Sequence, residues 1–128
     1  MSVDDGEPIT VAGTVRVISD GIYTLGDKGM QGAETHMGLT VVLAIGALRL
    51  ALRSVGNFEW DTGQFTSVGL DLRRAAIAFV KSPSHFRVAF GPVSERVLMA
   101  DTPGPTTCNL RRVPFRKVRR PIHPLEPI

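Results

Sequence analysis

One apolar segment, LTVVLAIGALRLALRSV at residues 39–55, limits the possible folds more than any other part of the sequence. Its first half is rich in β-branched residues, Gly46 in the middle offers a turn, and the second half alternates leucine with arginine or alanine. These features are typical of two strands that are half-buried. We predict a β-hairpin here. The alternative is a single helix, in which Arg49 and Arg53 would share one face at i,i+4 spacing.

Two further strands and a short helical turn are predicted nearby. Residues 11–18 alternate apolar and polar side chains with the period of a half-buried strand, and residues 22–25 form a shorter one. Three glycines at three-residue intervals indicate a loop at residues 26–34. A polar linker at residues 57–63 precedes a helical turn around residues 64–68.

A βαβ unit is predicted for residues 75–101. The run AAIAFV at residues 75–80 has the length and composition of a buried strand. Ser82 suits a helix N-cap and Pro83 the first helical position, with Gly91-Pro92 at the end of the helix. A strand at residues 97–100 would follow. The two strands of this βαβ unit should then be parallel, with a right-handed connection.

These elements predict an α/β fold with a mixed sheet. Residues 1–10 should be a flexible lead-in, and residues 11–128 a single domain, since 128 residues are too few to expect two. The segment from residue 110 to 128 carries Pro121, Pro124 and Pro127 at the three-residue period of polyproline II. We expect this tail to run extended.

Composition excludes several classes of protein. The single cysteine, Cys108, cannot form an internal disulfide, and the acidic N-terminus has no apolar run of a signal peptide. The apolar segment at residues 39–55 contains two arginines and is shorter than the roughly 20 residues that cross a membrane. We expect a cytoplasmic protein with no membrane partner.

Positive charge is concentrated in the tail. Residues 111–120 contain six basic and no acidic residues, so the rest of the chain has nine basic against twelve acidic ones. Such a tail could make the chain a binding module for nucleic acid or an acidic partner. However, the prolines at 114 and 121 prevent a recognition helix, and only Phe115 interleaves with the charges. A solvated or carboxylate-paired tail is the better interpretation.

The segment KSPSHF at residues 81–86 holds the best candidate site. In the predicted βαβ unit, Lys81 directly follows the carboxyl end of one strand, and His85 lies in the first turn of the helix. Asp101 directly follows the carboxyl end of the next strand. Ligands of open α/β sheets bind at that edge, and a helix start with an adjacent ammonium favours a carboxylate or phosphate. The structural alternative is a solvated lysine and a histidine that only caps the helix.

No metal site is expected within this chain. His36, His85 and His123 are far apart and show no metal-binding spacing. The glycine loop fits neither phosphate-binding nor dinucleotide-binding patterns, and GxSxG is absent.

Several segments together resemble the C-terminal domain of the microcystinase C (MlrC-like) family of zinc metallopeptidases. They are VRVISDGIYT (15–24), GMQGAETHMGLTVVL (29–43), VKSPSHFRVAF (80–90), ADTPGP (100–105) and LRRVPFRKVRRPIHPLEP (110–127), in the family's order. The KSxxHF and RRPxxPL elements are the most specific.

The resemblance implies a domain of a hydrolase that cuts peptide or amide bonds. The zinc ligands of that family belong to a larger N-terminal domain, which would be the main partner, together with a peptide substrate. This chain would complete the substrate cleft and be inactive alone. The resemblance raises Lys81 and His85 to catalytic or substrate-binding candidates, with Asp101 a substrate-binding candidate from topology. Exposed interdomain surface could also drive homo-oligomer formation.

Overall fold

The structure is a computed structural model that describes residues 8–26, 30–82, 85–102 and 109–127. Its strands are β1 (Thr14–Ser19), β2 (Ile22–Thr24), β3 (Glu34–His36), β4 (Thr40–Ile45) and β5 (Leu48–Arg53), and its α-helices are α1 (Gly63–Thr66) and α2 (Phe86–Phe90). Short 3-10 turns occupy Leu72–Arg74, Gly91–Val93 and Leu110–Arg112. The mixed class with strands and few helices is as predicted.

An antiparallel three-stranded sheet in the order β1-β4-β5 forms the framework. The predicted hairpin is confirmed: β4 and β5 pair in full register, from Thr40 with Arg53 to Ile45 with Leu48. Gly46 has a φ of 58° in the turn, a conformation that glycine adopts without strain. The predicted strand at 11–18 is confirmed as β1, which begins later, at Thr14. The alternation of side chains in residues 48–53 therefore correctly predicted a hairpin and not a single helix.

A second, two-stranded sheet pairs β2 with β3 in antiparallel register. β2 agrees with the predicted strand at residues 22–25, whereas β3, which follows the expected glycine loop, was not predicted. Buried side chains near the two sheets make the main core: Tyr23, Leu25, Met37, Val42 and Val68. This core fixes the position of the chain that follows β5.

The two α-helices are single turns or little more. The predicted helical turn is confirmed as α1, and the predicted helix after Ser82 is confirmed as α2, although its N-cap is His85 and not Ser82. Pro83 lies outside the described residues. Phe90 of α2 packs edge-on against Phe65 of α1, with 6.0 Å between ring centroids. In the described parts of the chain, no helix is long and apolar enough to cross a membrane.

The predicted βαβ unit is wrong for this chain. Residues 75–80 and 97–100 carry no strand, although both segments are described. A strand needs a neighbour that pairs with its backbone, and residues 76–80 make no backbone hydrogen bond to any part of the chain that the structure describes. The composition of a buried strand is present, but its partner is not within these residues.

The described residues fall into two compact units, residues 8–97 and the residues from 98 onward. The single domain over residues 11–128 stays a prediction. An extended polyproline tail was expected, but the second unit does not form one. Its end closes into a turn, because the Glu126 carboxylate accepts a hydrogen bond from the Ile122 N–H at 3.1 Å and pairs with Arg120.

Candidate functional site

Lys81 directly follows the unpaired segment at residues 75–80. Its side chain is exposed, as a substrate-binding cation must be. Beside it, the Ser82 hydroxyl is buried and has no hydrogen-bond partner among the described residues. A buried hydroxyl without a partner costs free energy.

His85 stands immediately before α2 and is held by an aromatic side chain. Its ring stacks on Trp60, with 5.6 Å between centroids and 29° between planes. Trp60 in turn stacks on Phe58 at 5.2 Å and 15°. The imidazole is therefore the exposed end of a stack of three rings, which restricts its orientation. With only five residues, α2 does not support the anion site that was predicted from a helix start.

A partly buried ion pair fixes the segment that carries the two aromatic rings. Arg53, at the end of β5, pairs with Glu59 and donates a hydrogen bond of 2.8 Å to the carbonyl of Asn57. Arg53 also donates a hydrogen bond of 3.1 Å to Oε1 of Gln64 in α1. The guanidinium thus ties residues 57 to 64 to the main sheet, and with them Trp60.

Asp61 supplies the second anchor. Its carboxylate accepts the backbone N–H of Gly26 at 2.8 Å and that of Gly63 at 2.6 Å. A side chain at Gly63 would lie 2.7 Å from both Asp61 Oδ1 and a ring atom of Tyr23. Glycine is therefore required there by the close approach of the two side chains.

A cavity of about 120 Å³ opens beside the aromatic stack. Residues from the short sheet and from the segment after β5 line it, namely Tyr23, Leu25, Met30, Ala33, Glu34, Thr35, Asn57, Phe58 and Trp60. Burial raises the pKa of Tyr23 above its ordinary value, and the Asp61 carboxylate raises it further. Tyr23 is therefore a neutral, mainly apolar wall of this cavity at physiological pH.

Asp101 belongs to the other compact unit. Its carboxylate lies 3.2 Å from Arg112 and accepts a hydrogen bond of 3.2 Å from Asn109. The parallel strands that would bring Asp101 to Lys81 and His85 do not form in this chain. A shared site of these three residues stays a prediction. Arg112 and Arg120 both pair with carboxylates, as the carboxylate-paired interpretation of the tail expects.

No set of three or more His, Cys, Asp or Glu side chains among the described residues could hold a metal ion. His36 lies in β3 and His123 in the second unit, both exposed. The described residues therefore do not fit a metal centre of their own.

The aromatic support of His85 was not predicted. Residues 57–63 were expected to form a polar linker, yet Phe58 and Trp60 are two residues apart. In extended chain that spacing places both side chains on the same side. This was the available signal, but nothing in the sequence shows that a ring 25 positions later would complete the stack.

Comparison with known proteins identifies the family of the chain. The chain matches the family described as MlrC C-terminus over residues 1–117. It is also similar to the crystal structure of a protein from Mesorhizobium sp. BNC1 that has been assigned as a metallopeptidase, with a TM-score of 0.70 and 25% sequence identity. That match covers 90% of this chain and 23% of the other. No curated protein matches the chain.

The chain thus spans less than a quarter of the length of the related metallopeptidase. The family match covers residues 15–24, 29–43, 80–90 and 100–105 in full and the last segment as far as residue 117. The predicted resemblance is confirmed, and the chain belongs to the MlrC C-terminal family.

Proposed function

We propose that this chain is the C-terminal domain of a metal-dependent hydrolase of peptide or amide bonds, and that it completes a substrate cleft built mainly by another part of the enzyme. The observation that carries the proposal is the segment from Lys81 to His85. It presents an exposed ammonium and an imidazole held by Trp60, in a chain that belongs to a metallopeptidase-associated family.

Lys81 is suited to bind a substrate carboxylate or to polarise a carbonyl, because an ammonium stabilises negative charge on oxygen. His85 is suited to donate or accept a hydrogen bond, or to transfer a proton. The stack on Trp60 covers one face of the His85 ring and restricts its orientation. Asp101 is a further substrate-binding candidate on the topological argument alone.

The metal belongs to the larger part of the enzyme in this proposal, and zinc is the expected ion. Such an ion would activate water for attack on the scissile bond. This chain contributes groups that bind and orient the substrate. It is expected to be inactive alone, since its described residues do not fit a metal centre.

The test is peptide hydrolysis by the complete metallopeptidase that contains this domain. Lys81→Ala and His85→Ala should each lower kcat/KM by roughly a hundredfold to a thousandfold, the range for lost general acid–base or electrostatic groups. Lys117→Ala and His123→Ala are matched controls, because both side chains are exposed and lie in the second unit. They should retain full activity.

A separate measurement distinguishes the two roles of Lys81. If the ammonium binds a substrate carboxylate, Lys81→Ala should raise KM for peptides with a free C-terminus and not for the same peptides amidated. If it polarises the carbonyl, kcat should fall for both. Activity of Lys81→Ala and His85→Ala equal to that of the two controls would refute the site.

A further inference from the structure

Residues 75–80, with the sequence AAIAFV, have an unusual combination of composition and surroundings. Five of the six residues are exposed, including Ile77 at 70% and Phe79 at 82%. Ile77 and Phe79 project on one side of an extended chain, while Ala78 and Val80 project on the other. Both sides are therefore apolar.

The backbone of residues 76–80 has no hydrogen-bond partner among the described residues either. Within the described parts of the chain, residues 76–80 neither donate nor accept a backbone or side-chain hydrogen bond. Apolar side chains on both faces and a free hydrogen-bonding edge are the two requirements of a central strand in a sheet that is covered on both sides. A soluble surface segment needs neither.

We propose that residues 75–80 form a β-strand by pairing with a sheet in the remaining part of the metallopeptidase. The inference rests on the proposed function, in which the remaining part of the enzyme holds the catalytic metal. The related chain is more than four times as long as the part matched here, so it contains ample structure to supply the sheet.

A second copy of this chain fits the segment less well. The sheet β1-β4-β5 has two edge strands, and β1 at one edge is largely exposed. Pairing with such an edge would satisfy the backbone but leave at least one apolar face of residues 75–80 in water. A sheet with helices on both faces covers both, which is the usual setting of strands with this composition.

The pairing would also place the candidate site. Lys81 follows the strand directly, and α2 is held to α1 by Phe90 and Phe65. Strand formation at residues 75–80 would therefore fix Lys81 at a sheet end, four positions before His85 in the sequence. It would also remove the exposed apolar face that the isolated chain presents.

Hydrogen–deuterium exchange tests this pairing without any measurement of hydrolysis. In this chain at low concentration, amides 76–80 should exchange at nearly the rate of an unfolded peptide, while those of β4 and β5 are protected. In the complete Mesorhizobium protein, the segment that superposes on residues 75–80 should exchange roughly a hundredfold or more slowly, as expected for a core strand.

Three results would overturn the proposal. Protection of residues 76–80 in this chain at low concentration would show that the segment is paired internally. Protection that appears only as the concentration of this chain rises would identify a second copy as the occupant. Rapid exchange in the complete Mesorhizobium protein would show that its sheet does not pair with the segment.

A pair of variants separates packing within this chain from packing against a partner. Phe79→Asp should leave the thermal unfolding midpoint of this chain unchanged, whereas Phe90→Asp should lower it, because Phe90 is buried against Phe65. A loss of stability in Phe79→Asp equal to that in Phe90→Asp would contradict the proposal. If hydrogen–deuterium exchange agrees with strand pairing while Lys81→Ala and His85→Ala are fully active, the pairing of residues 75–80 is supported and the assignment of the site is wrong.

Discussion

Trp60 lies against His85 with 5.6 Å between ring centroids, so a residue from the segment after β5 sets the orientation of the candidate catalytic imidazole. Phe58 supports the other side of Trp60. The ring stack is attached to the three-stranded sheet through Arg53, which binds Asn57 and Glu59 on either side of Phe58. Framework and site are therefore linked by contacts that can be broken one at a time.

Trp60→Ala should release the His85 ring. The lost stacking is worth about 1 kcal/mol beyond the area buried, and a mispositioned catalytic group can cost roughly a hundredfold in rate. In the isolated chain, the ring protons of His85 should move downfield in the NMR spectrum when the indole ring current is removed. The ring protons of His36 and His123 serve as internal controls. Unchanged His85 signals in Trp60→Ala would show that the stack is not populated in solution.

Arg53→Ala should destabilise the unit at residues 8–97 by about 3 kcal/mol, because it leaves the largely buried Glu59 carboxylate without its partner. The double variant Arg53→Ala/Glu59→Ala should cost less than the sum of the two single changes. Urea unfolding measures both. Arg49→Ala is the matched control, since Arg49 lies on the same strand and its guanidinium donates hydrogen bonds, among the described residues, to the exposed carbonyls of Gly46 and Leu48. Equal losses for Arg49→Ala and Arg53→Ala would contradict a special role of the ion pair.

The parts of the fold that were predicted correctly depend on local sequence. The alternation of residues 48–53 and the turn at Gly46 lie within one hairpin, whose two strands supply each other's hydrogen bonds. The α1 turn and the end of α2 before Gly91 are equally local. Neither element needs information from a distant part of the chain.

The βαβ unit failed for a different reason. Residues 75–80 have the composition of a strand, but a strand is defined by a partner that composition does not name. The stack of Trp60 on His85 joins residues 25 positions apart, and Glu59 meets Arg53 across the end of a strand. The sequence could thus indicate candidate site residues, but not which side chains hold them in place.

Gly63→Ala tests the close packing at the start of α1. The added methyl group would meet Asp61 and Tyr23 at 2.7 Å, and both neighbours are buried. We expect a loss of about 1–3 kcal/mol in the free energy of unfolding, as for other overpacked sites. Gly56→Ala is the control, because its methyl group would meet no atom within 4 Å and its φ is not positive. Gly56→Ala should be neutral or stabilising by up to about 1 kcal/mol. Equal stability of the two variants would contradict the crowding at Gly63.

Tyr23 should make the stability of the chain depend on pH in the alkaline range. Burial and the nearby Asp61 carboxylate raise the pKa of Tyr23 in the folded state, so the unfolded chain loses the phenolic proton first, from about pH 10. The contribution to stability is complete below that pH and is lost as the pH rises through the folded-state pKa. Because Tyr23 is the only tyrosine, ultraviolet absorbance of tyrosinate reports this residue alone.

The absorbance titration of the folded chain should therefore have its midpoint above that of the urea-unfolded chain. Tyr23→Phe keeps the ring but removes the ionisable group, so it should flatten the fall in unfolding free energy above about pH 10. Near pH 7 the same variant should differ from the wild type by about 1 kcal/mol or less, because it removes only the hydroxyl of a buried ring. Coincident titrations of the folded and unfolded chains would show that Tyr23 is solvated, and the apolar wall assigned to the cavity beside Trp60 would then be wrong.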